Sequence, residues 1–230
     1  VLLQPLFDAP DSFAALLFGL LAWIPFDLTR FLLLALDIIG AVVLGRGLLA
    51  VAERRGRPLP WTRALGSSAS LALITALILF CGPWIRTISL GQVNILLTAL
   101  VVVDILWLRP GRGRGVLTGI AMAIKLTPAV FLAVFFVRRE WRAFFAALGS
   151  FLAAGLIAFA CNPHSSIQYW SDTLRDSNRI GGLAYSSNQS LRGFFSRLAP
   201  EHAEKLWLVA VLLVIALVWF TMERLSQENQ

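Results

Sequence analysis

The sequence predicts an all-α integral membrane protein, and three observations support that prediction. Charged residues make up only 14% of the 230 positions and hydrophobic residues 58%, whereas about a quarter of a soluble domain is charged. The hydrophobic residues are grouped in blocks that approach the roughly 20 residues of a membrane-spanning helix. The arginines are concentrated in short turns between these blocks, which is the pattern of cytoplasmic turns.

Five blocks are the best candidates for helices that cross the bilayer. A spanning segment is helical by default because hydrocarbon offers backbone polar groups no partner. If the basic turns 53–63, 109–114 and 138–142 are inside, the stretches 81–94 and 162–205 are external. The predicted helices are Phe31–Ala52, Ala64–Phe80, Ile95–Leu108, Ala143–Ala160 and Leu206–Met222.

Two apolar segments do not fit as simple spans. Residues 116–137 have basic turns on both sides, and two full spans would need about 40 residues. Because Pro128 breaks a helix, we predict a re-entrant pair of short helices with Lys125 near its apex. The second segment, Phe13–Ile24, has only 12 residues, a length more typical of an interfacial or re-entrant helix.

The positive charge and the few metal-ligand residue types predict neither a nucleic-acid partner nor a cofactor. The net charge is +7, but no basic aromatic face accompanies it. No cluster of His, Cys and carboxylate residues has metal-site spacing, and His164 and His202 are interpreted as isolated surface residues. A disulfide between Cys81 and Cys161 is conceivable on the outer side, although buried free thiols are the simpler interpretation.

Three ionisable residues lie within apolar blocks, where a buried charge is a functional candidate by default. Asp104 lies five residues before Arg109 and Asp37 seven residues after Arg30, so structural ion pairing is the simpler interpretation of both. Lys125 lies beside the predicted helix break, with no acidic residue near it in sequence. Lys125 is therefore the functional candidate, suited to an anionic group such as a lipid phosphate.

The polar stretch 162–205 combines aromatic, amide and arginine side chains. Such a mixture suits a sugar and a phosphate, because amides bond hydroxyls and arginine forks grip phosphate. Aromatic anchors at the membrane interface within a solvated loop are the simpler interpretation of composition alone. The candidate residues are Tyr169, Trp170, Arg179, Asn188, Gln189 and Arg192.

A series of short motifs follows across most of residues 85–197. The motifs are Gly91-Gln92-Val93-Asn94, Gly115 to Gly119 with Lys125-Leu126-Thr127-Pro128, Arg138-Arg139-Glu140-Trp141-Arg142, Tyr169-Trp170, Asn178-Arg179-Ile180-Gly181, and Asn188-Gln189-Ser190-Leu191-Arg192-Gly193. Each motif alone is weak. In order and spacing they resemble glycosyltransferase family 87, actinobacterial enzymes that include polyprenyl-phosphate-mannose-dependent α-(1→2)-mannosyltransferases.

The resemblance implies a glycosyltransferase type C fold, a helix bundle with its active site on the extracytoplasmic face of the bacterial cell membrane. It implies a polyprenyl phosphate sugar donor, usually mannose, and a lipid-linked glycan acceptor. In such inverting enzymes an external-loop aspartate deprotonates the acceptor hydroxyl, which attacks the anomeric carbon as the lipid phosphate leaves. The matching positions add Gln92 and Asn94 to the substrate-binding candidates Lys125, Tyr169, Trp170, Arg179, Asn188, Gln189 and Arg192.

The N-terminal segment departs from the family pattern. In the family the catalytic aspartate lies in the first external loop, which commonly leads into a Tyr-Pro-Pro segment. Here the comparable place reads Phe7-Asp8-Ala9-Pro10-Asp11, without a tyrosine. Asp8 and Asp11 are the candidates for the catalytic base, and the family's own base is expected upstream of Val1. The 230 residues are interpreted as a single membrane domain truncated at both ends, for which activity alone is not expected.

Three alternatives stay open at the level of sequence. An arabinofuranosyl donor is the near rival to mannose. A transporter or flippase for a lipid-linked anion would also use a broken helix with a buried lysine, but no second copy of the Lys-Leu-Thr-Pro break is present. A non-catalytic remnant is the third.

Overall fold

Helices are the regular elements throughout the described part of the chain. The computed structural model describes residues 12–21, 23–89, 91–173, 183–185 and 188–227, and within these ranges there is no strand. The helices are α1 (Ser12–Leu21), α2 (Phe26–Arg54), α3 (Thr62–Phe80), α4 (Gly82–Ser89), α5 (Asn94–Leu106), α6 (Val116–Ile124), α7 (Leu132–Val137), α8 (Trp141–Cys161), α9 (Pro163–Gln168), α10 (Leu191–Leu198) and α11 (Ala203–Gln227).

Three helices are long and apolar enough to cross a membrane: α2, α8 and the segment Pro200–Thr221 that includes most of α11. A fourth candidate exists if α3 and α4, which are bent by 66° relative to each other, count as one span. The block predicted as a span over Ile95–Leu108 forms α5, a helix of only 13 residues. That length falls below the roughly 20 residues that a bilayer needs.

The predicted break in residues 116–137 is confirmed. Helix α6 ends at Ile124, and Lys125 adopts an extended backbone with φ −152° and ψ 131°. A 3₁₀ turn over Thr127–Phe131 follows and leads into α7. Pro128 explains the interruption because its ring has no N–H to donate and clashes with the preceding turn of an α-helix. The re-entrant course of this segment stays a prediction.

Helix α6 packs closely against α8 because two glycines four residues apart face it. A Cβ atom at Gly115 would overlap the backbone of Ala143, and one at Gly119 would overlap the Ala147 carbonyl oxygen and the Ser150 hydroxyl. Gly115 also has a φ of 98°, which glycine adopts without strain. Small residues at this spacing let membrane helices approach closely, and here they fix α6 on the long helix α8.

Arginines from the basic turns tie the helix ends together at one end of the bundle. Arg54 lies 3.5 Å from the Leu106 carbonyl oxygen, and Arg114 donates to the Ile105 carbonyl. Both arginines therefore reach the C-terminal end of α5, where a helix favours positive charge. Arg114 also forms an ion pair of 3.3 Å with Glu140, which joins this end to the turn before α8.

Exposed tryptophans accompany these basic turns. Trp61, Trp107 and Trp141 lie within or next to the three turns and are all exposed. Tryptophan beside arginine is typical of the boundary between membrane and water. Much of the apolar surface of α2, α8 and α11 is exposed as well, as it would be on helices that face lipid. This arrangement agrees with the prediction that the basic turns lie at one membrane surface.

Among the described residues of the polar stretch 162–205, helices α9 and α10 and the start of α11 are present, and 81–94 contains helix α4. Helix α9 begins after Asn162, whose side chain accepts from the Ser165 amide, and α10 begins after Ser190, which accepts from the Gly193 amide. Polar caps of this kind start short helices without a long apolar block. Cys81 and Cys161 are free and exposed, so neither the disulfide nor the burial of these thiols is supported.

Candidate functional site

A hydrogen-bonded cluster of polar side chains forms where α6 ends and α5 begins. The Lys125 ammonium donates to the Asn94 Oδ1 atom at 2.9 Å. The Asn94 amide nitrogen in turn donates to the Gln92 Oε1 atom at 2.8 Å and lies 3.3 Å from the Thr87 hydroxyl. We call these four residues the Lys125 cluster. Sequence analysis named Lys125, Gln92 and Asn94, and the structure brings all three together.

The Lys125 cluster is partly buried and lies where two helices meet. Helices α5 and α6 form a hairpin, with the basic turn at one end and the cluster at the other. Helix α6 has nine residues, so it carries Lys125 about 14 Å from its start at 1.5 Å per residue. That is roughly half of a hydrocarbon core about 30 Å thick. A polar cluster at such a depth is a functional candidate by default.

Asp104 anchors the opposite end of α6 and is not paired with Arg109. Its carboxylate is fully buried and accepts from the Gly115 amide at 2.7 Å. It also accepts from the Thr118 amide at 2.9 Å and the Thr118 hydroxyl at 2.6 Å. The interpretation of Asp104 as half of a local ion pair was therefore wrong. Its hydrogen-bond partners lie at the N-terminus of the next helix, which favours a carboxylate through its amides and its dipole.

Tyr169 and Trp170 lie close to the helix break. Both line a small cavity together with Met122, Ala123 and Leu126, which flank Lys125 in sequence. The Tyr169 and Trp170 rings meet edge to face with centroids 5.3 Å apart, and Trp170 also meets the ring of Phe151 on α8. The polar stretch after α8 therefore folds back onto the region of Lys125.

Asn188 has a structural function in the turn that precedes α10. Its side-chain nitrogen donates to the Leu183 carbonyl at 3.1 Å, and its oxygen accepts from the Ser190 hydroxyl at 2.7 Å. A Cβ atom at Gly193 would overlap Asn188, so the turn and the helix start are closely packed. The motif from Asn188 to Gly193 thus builds a helix start, whatever else it binds.

Arg192 lies against the last long helix. Its guanidinium carbon is 5.4 Å from the centroid of the Trp207 ring on α11, a distance at which cation and ring attract each other. Gln189, three residues earlier, is exposed. The predicted convergence of Lys125, Arg179 and Arg192 stays a prediction, since Arg179 lies outside the described residues.

Asp37 is not paired with Arg30, contrary to the simpler interpretation of the sequence. The ion pairs among the described residues are Arg114–Glu140 and Arg138–Glu140. Asp37 is only 5% exposed, and it lines a cleft together with Arg30. The spacing of seven residues puts both on one face of α2 but two turns apart, which explains why the charges do not meet.

Two other predictions concern a catalytic base and metal binding. Asp8 and Asp11, the candidates for the base, lie outside the described residues. Among the residues that the structure does describe, no group of His, Cys, Asp and Glu could hold a metal ion.

Thr87 was missed at the level of sequence, because a lone threonine in a polar stretch carries no signal until Asn94 is seen beside it.

These features define a membrane protein whose helix bundle carries a polar site at a helix break. The chain belongs to glycosyltransferase family 87, whose model matches residues 12–230. No solved structure is found to be similar.

Curated relatives are known from mycobacteria. A polyprenol-phosphate-mannose-dependent alpha-(1-2)-phosphatidylinositol mannoside mannosyltransferase of Mycobacterium tuberculosis is 36% identical over 74% of this chain and 42% of its own length. Its namesake from Mycolicibacterium smegmatis is 34% identical over 69% of this chain and 36% of its own length. A polyprenol-phosphate-mannose-dependent alpha-(1-2)-phosphatidylinositol pentamannoside mannosyltransferase, also from Mycolicibacterium smegmatis, is 32% identical over 83% of this chain and 44% of its own length. The chain thus spans less than half the length of these relatives.

Proposed function

We propose that this chain contributes to a membrane mannosyltransferase that takes mannose from a polyprenyl phosphate donor. The acceptor is a lipid-linked glycan of the phosphatidylinositol mannoside type. The enzyme is a multi-pass protein in the cell membrane of an actinobacterium. Membership of glycosyltransferase family 87 supports the reaction class. The activities named for the relatives support the donor and the type of acceptor.

The observation that carries the proposal is the Lys125 cluster. A lipid phosphate that enters a partly dry cavity needs a cationic partner, because an unpaired charge in low dielectric is strongly disfavoured. Lys125 supplies that charge, and its hydrogen bond to Asn94 holds the ammonium at the N-terminus of α5. The amide groups of a helix N-terminus add a second source of positive potential for an anion.

In the proposed reaction the acceptor hydroxyl gives its proton to a carboxylate base and attacks the anomeric carbon of the donor. The bond between that carbon and the phosphate oxygen breaks, and the lipid phosphate leaves with the electron pair. Inversion follows because attack and departure take place on opposite faces. Lys125 stabilises the charge that develops on the leaving phosphate. Asp8 and Asp11 stay the candidates for the base within this chain.

The stretch 162–205 forms the roof of the substrate cavity in this proposal and lies on the extracytoplasmic side. Tyr169 and Trp170 offer ring faces near the helix break, while Arg179, Gln189 and Arg192 provide further groups for phosphate and hydroxyls. An alkaline phosphatase reporter inserted after Gly182 is expected to be active, since this reporter works only outside the cytoplasm. An inactive phosphatase together with an active cytoplasmic reporter at the same site would contradict the placement.

Transfer by the full-length protein in membranes tests the function. Labelled polyprenyl phosphate mannose should yield a mannosylated phosphatidylinositol mannoside, and the matching arabinofuranose donor should not. Transfer from the arabinofuranose donor alone would favour the rival sugar. Movement of the labelled lipid across the bilayer without formation of a glycoside would favour a transporter.

A further inference from the structure

A second polar cleft lies between α2 and α4, apart from the Lys125 cluster. It has a volume of about 170 Å³, smaller than the roughly 300–1,000 Å³ of a drug-sized site, so it suits a small headgroup. Arg30 and Asp37 line it from α2, and Ser89 and Gly91 line it from the other side. The rest of its wall is apolar, formed by Phe26, Leu33, Leu34 and Ile88.

The Asp37 side chain lies on the wall of the cleft. It belongs to a candidate membrane-spanning helix and is only 5% exposed, and no hydrogen bond or ion pair joins it to a described side chain. A carboxylate in such a place needs a hydrogen-bond donor from whatever fills the cleft, either water or a ligand. An acidic residue facing a cavity inside a membrane protein therefore points to a ligand.

The two charged groups specify the chemistry of that ligand. Arg30 and Asp37 are seven residues apart, which separates them by about 10 Å along one face of α2. A guanidinium prefers phosphate, which it grips with paired donors, whereas a carboxylate accepts hydrogen bonds from hydroxyl groups. The apolar wall suits hydrocarbon next to such a headgroup. A metal cation fits poorly, because Arg30 would repel it.

We propose that this cleft binds the headgroup of a phosphodiester lipid that carries a polyhydroxylated ring. Arg30 holds the phosphate and Asp37 accepts from the ring hydroxyls, two turns deeper in the bundle. Ser89 adds a hydroxyl from the opposite wall. This ligand has the chemistry of the proposed acceptor, so the inference rests on the proposed function and gives the acceptor headgroup a place in the fold. Lipid binding and sugar transfer are measured separately, so that failure of the one can be told from failure of the other.

Lipid binding to the full-length protein in nanodiscs tests the proposal. Wild-type protein is expected to prefer phosphatidylinositol over phosphatidylmethanol, a phosphodiester lipid of the same charge without a ring, by about ten-fold. That factor corresponds to one charged hydrogen bond. Asp37→Asn should reduce that preference, because a neutral amide replaces the charged acceptor, and Arg30→Gln should weaken the binding of both lipids. Arg46→Gln and Glu53→Gln, exposed sites on the same helix, should change neither. Polyprenyl phosphate mannose in a parallel arm tells whether its ring competes for the same cleft.

Two further variants locate the binding. Leu34→Trp fills the cleft without changing its charges and should displace phosphatidylinositol. Lys125→Met is measured beside it, because Lys125 belongs to the other polar site. Equal retention of both lipids by the wild-type protein, or an undiminished preference in Asp37→Asn, would overturn the proposal. A loss of phosphatidylinositol binding in Lys125→Met with wild-type binding in Leu34→Trp would also overturn it, because the lipid would then lie in the Lys125 cluster.

Discussion

The ammonium of Lys125 and the side-chain oxygen of Asn94 lie 2.9 Å apart, although 31 residues separate them in sequence. This hydrogen bond joins the C-terminal end of α6 to the first turn of α5. It keeps a positive charge at a helix N-terminus, where the ammonium and the helix amides would both attract an anion. The bond therefore connects the broken helix with the chemistry that we propose for it.

Asn94 is expected to control the charge that Lys125 presents. Asn94→Asp keeps an acceptor for the ammonium but neutralises it, so we expect binding of the polyprenyl phosphate donor to fall roughly ten-fold or more while the fold survives. Donor titration together with thermal unfolding in detergent measures the two effects. Thr98→Val, which removes a hydroxyl one turn further along α5, serves as the control. Wild-type donor affinity in Asn94→Asp would argue against phosphate binding at this cluster.

Asp104 is expected to contribute to stability through the start of α6. Asp104→Asn replaces a charged acceptor of three hydrogen bonds with a neutral amide, and we expect a loss of about 1.5–3 kcal/mol. The measurement is the free energy of unfolding in detergent, with Asp172→Asn at an exposed site as the matched control. Equal stability of the two variants would mean that the carboxylate does not anchor the helix.

Gly119 is expected to tolerate no side chain. In Gly119→Ala the new methyl group would overlap the Ala147 carbonyl oxygen, a backbone atom that can give way only if α6 and α8 move apart. We expect destabilisation of about 1–3 kcal/mol, whereas Gly149→Ala on the facing helix meets nothing within 4 Å and should not destabilise the protein. Thermal unfolding of the pair measures the difference. A neutral Gly119→Ala would show that α6 and α8 are further apart than described.

The two ends of residues 116–137 are expected on the same side of the membrane. Arg112→Cys and Arg138→Cys, both exposed positions, would be labelled with an impermeant thiol reagent after Cys81 and Cys161 have been replaced by serine. Both probes should react from the cytoplasmic side if the segment is re-entrant, because a re-entrant pair of helices begins and ends at the same surface. Labelling from opposite sides would require one span and reverse the topology that follows.

Local signals in the sequence were sufficient for the helix break but not for its partners. Pro128 marks the interruption by steric rules that involve only its neighbours, and Lys125 is unusual in an apolar block whatever the fold. Asn94 and Thr87 become its neighbours only through the hairpin of α5 and α6. Asp104 was assigned to Arg109 because sequence proximity was the only available distance. The helix N-terminus that Asp104 binds lies beyond the turn between α5 and α6, so the two are neighbours only in the folded chain.

The polar stretch after α8 shows a second limit. Asn188 was predicted to bind substrate, which stays a prediction, and the structure gives its side chain a further function in the turn before α10. Composition identifies residues that can bond a sugar hydroxyl, and the same residues bond backbone groups at a helix start. For Asp37 the sequence suggested a contact that the structure does not contain. Its spacing from Arg30 favoured an ion pair, but the geometry of the helix keeps the two charges two turns apart.

The central claim is that Lys125 stabilises the leaving lipid phosphate, and a transfer assay tests it most directly. The rate of mannose transfer from polyprenyl phosphate mannose would be measured for the wild-type full-length protein, Lys125→Met and the exposed-lysine control Lys205→Met. The account predicts that Lys125→Met loses roughly ten- to a hundred-fold in turnover, the equivalent of one charged hydrogen bond of about 1.5–3 kcal/mol, while Lys205→Met retains wild-type turnover. Wild-type transfer by a folded Lys125→Met protein would contradict the account.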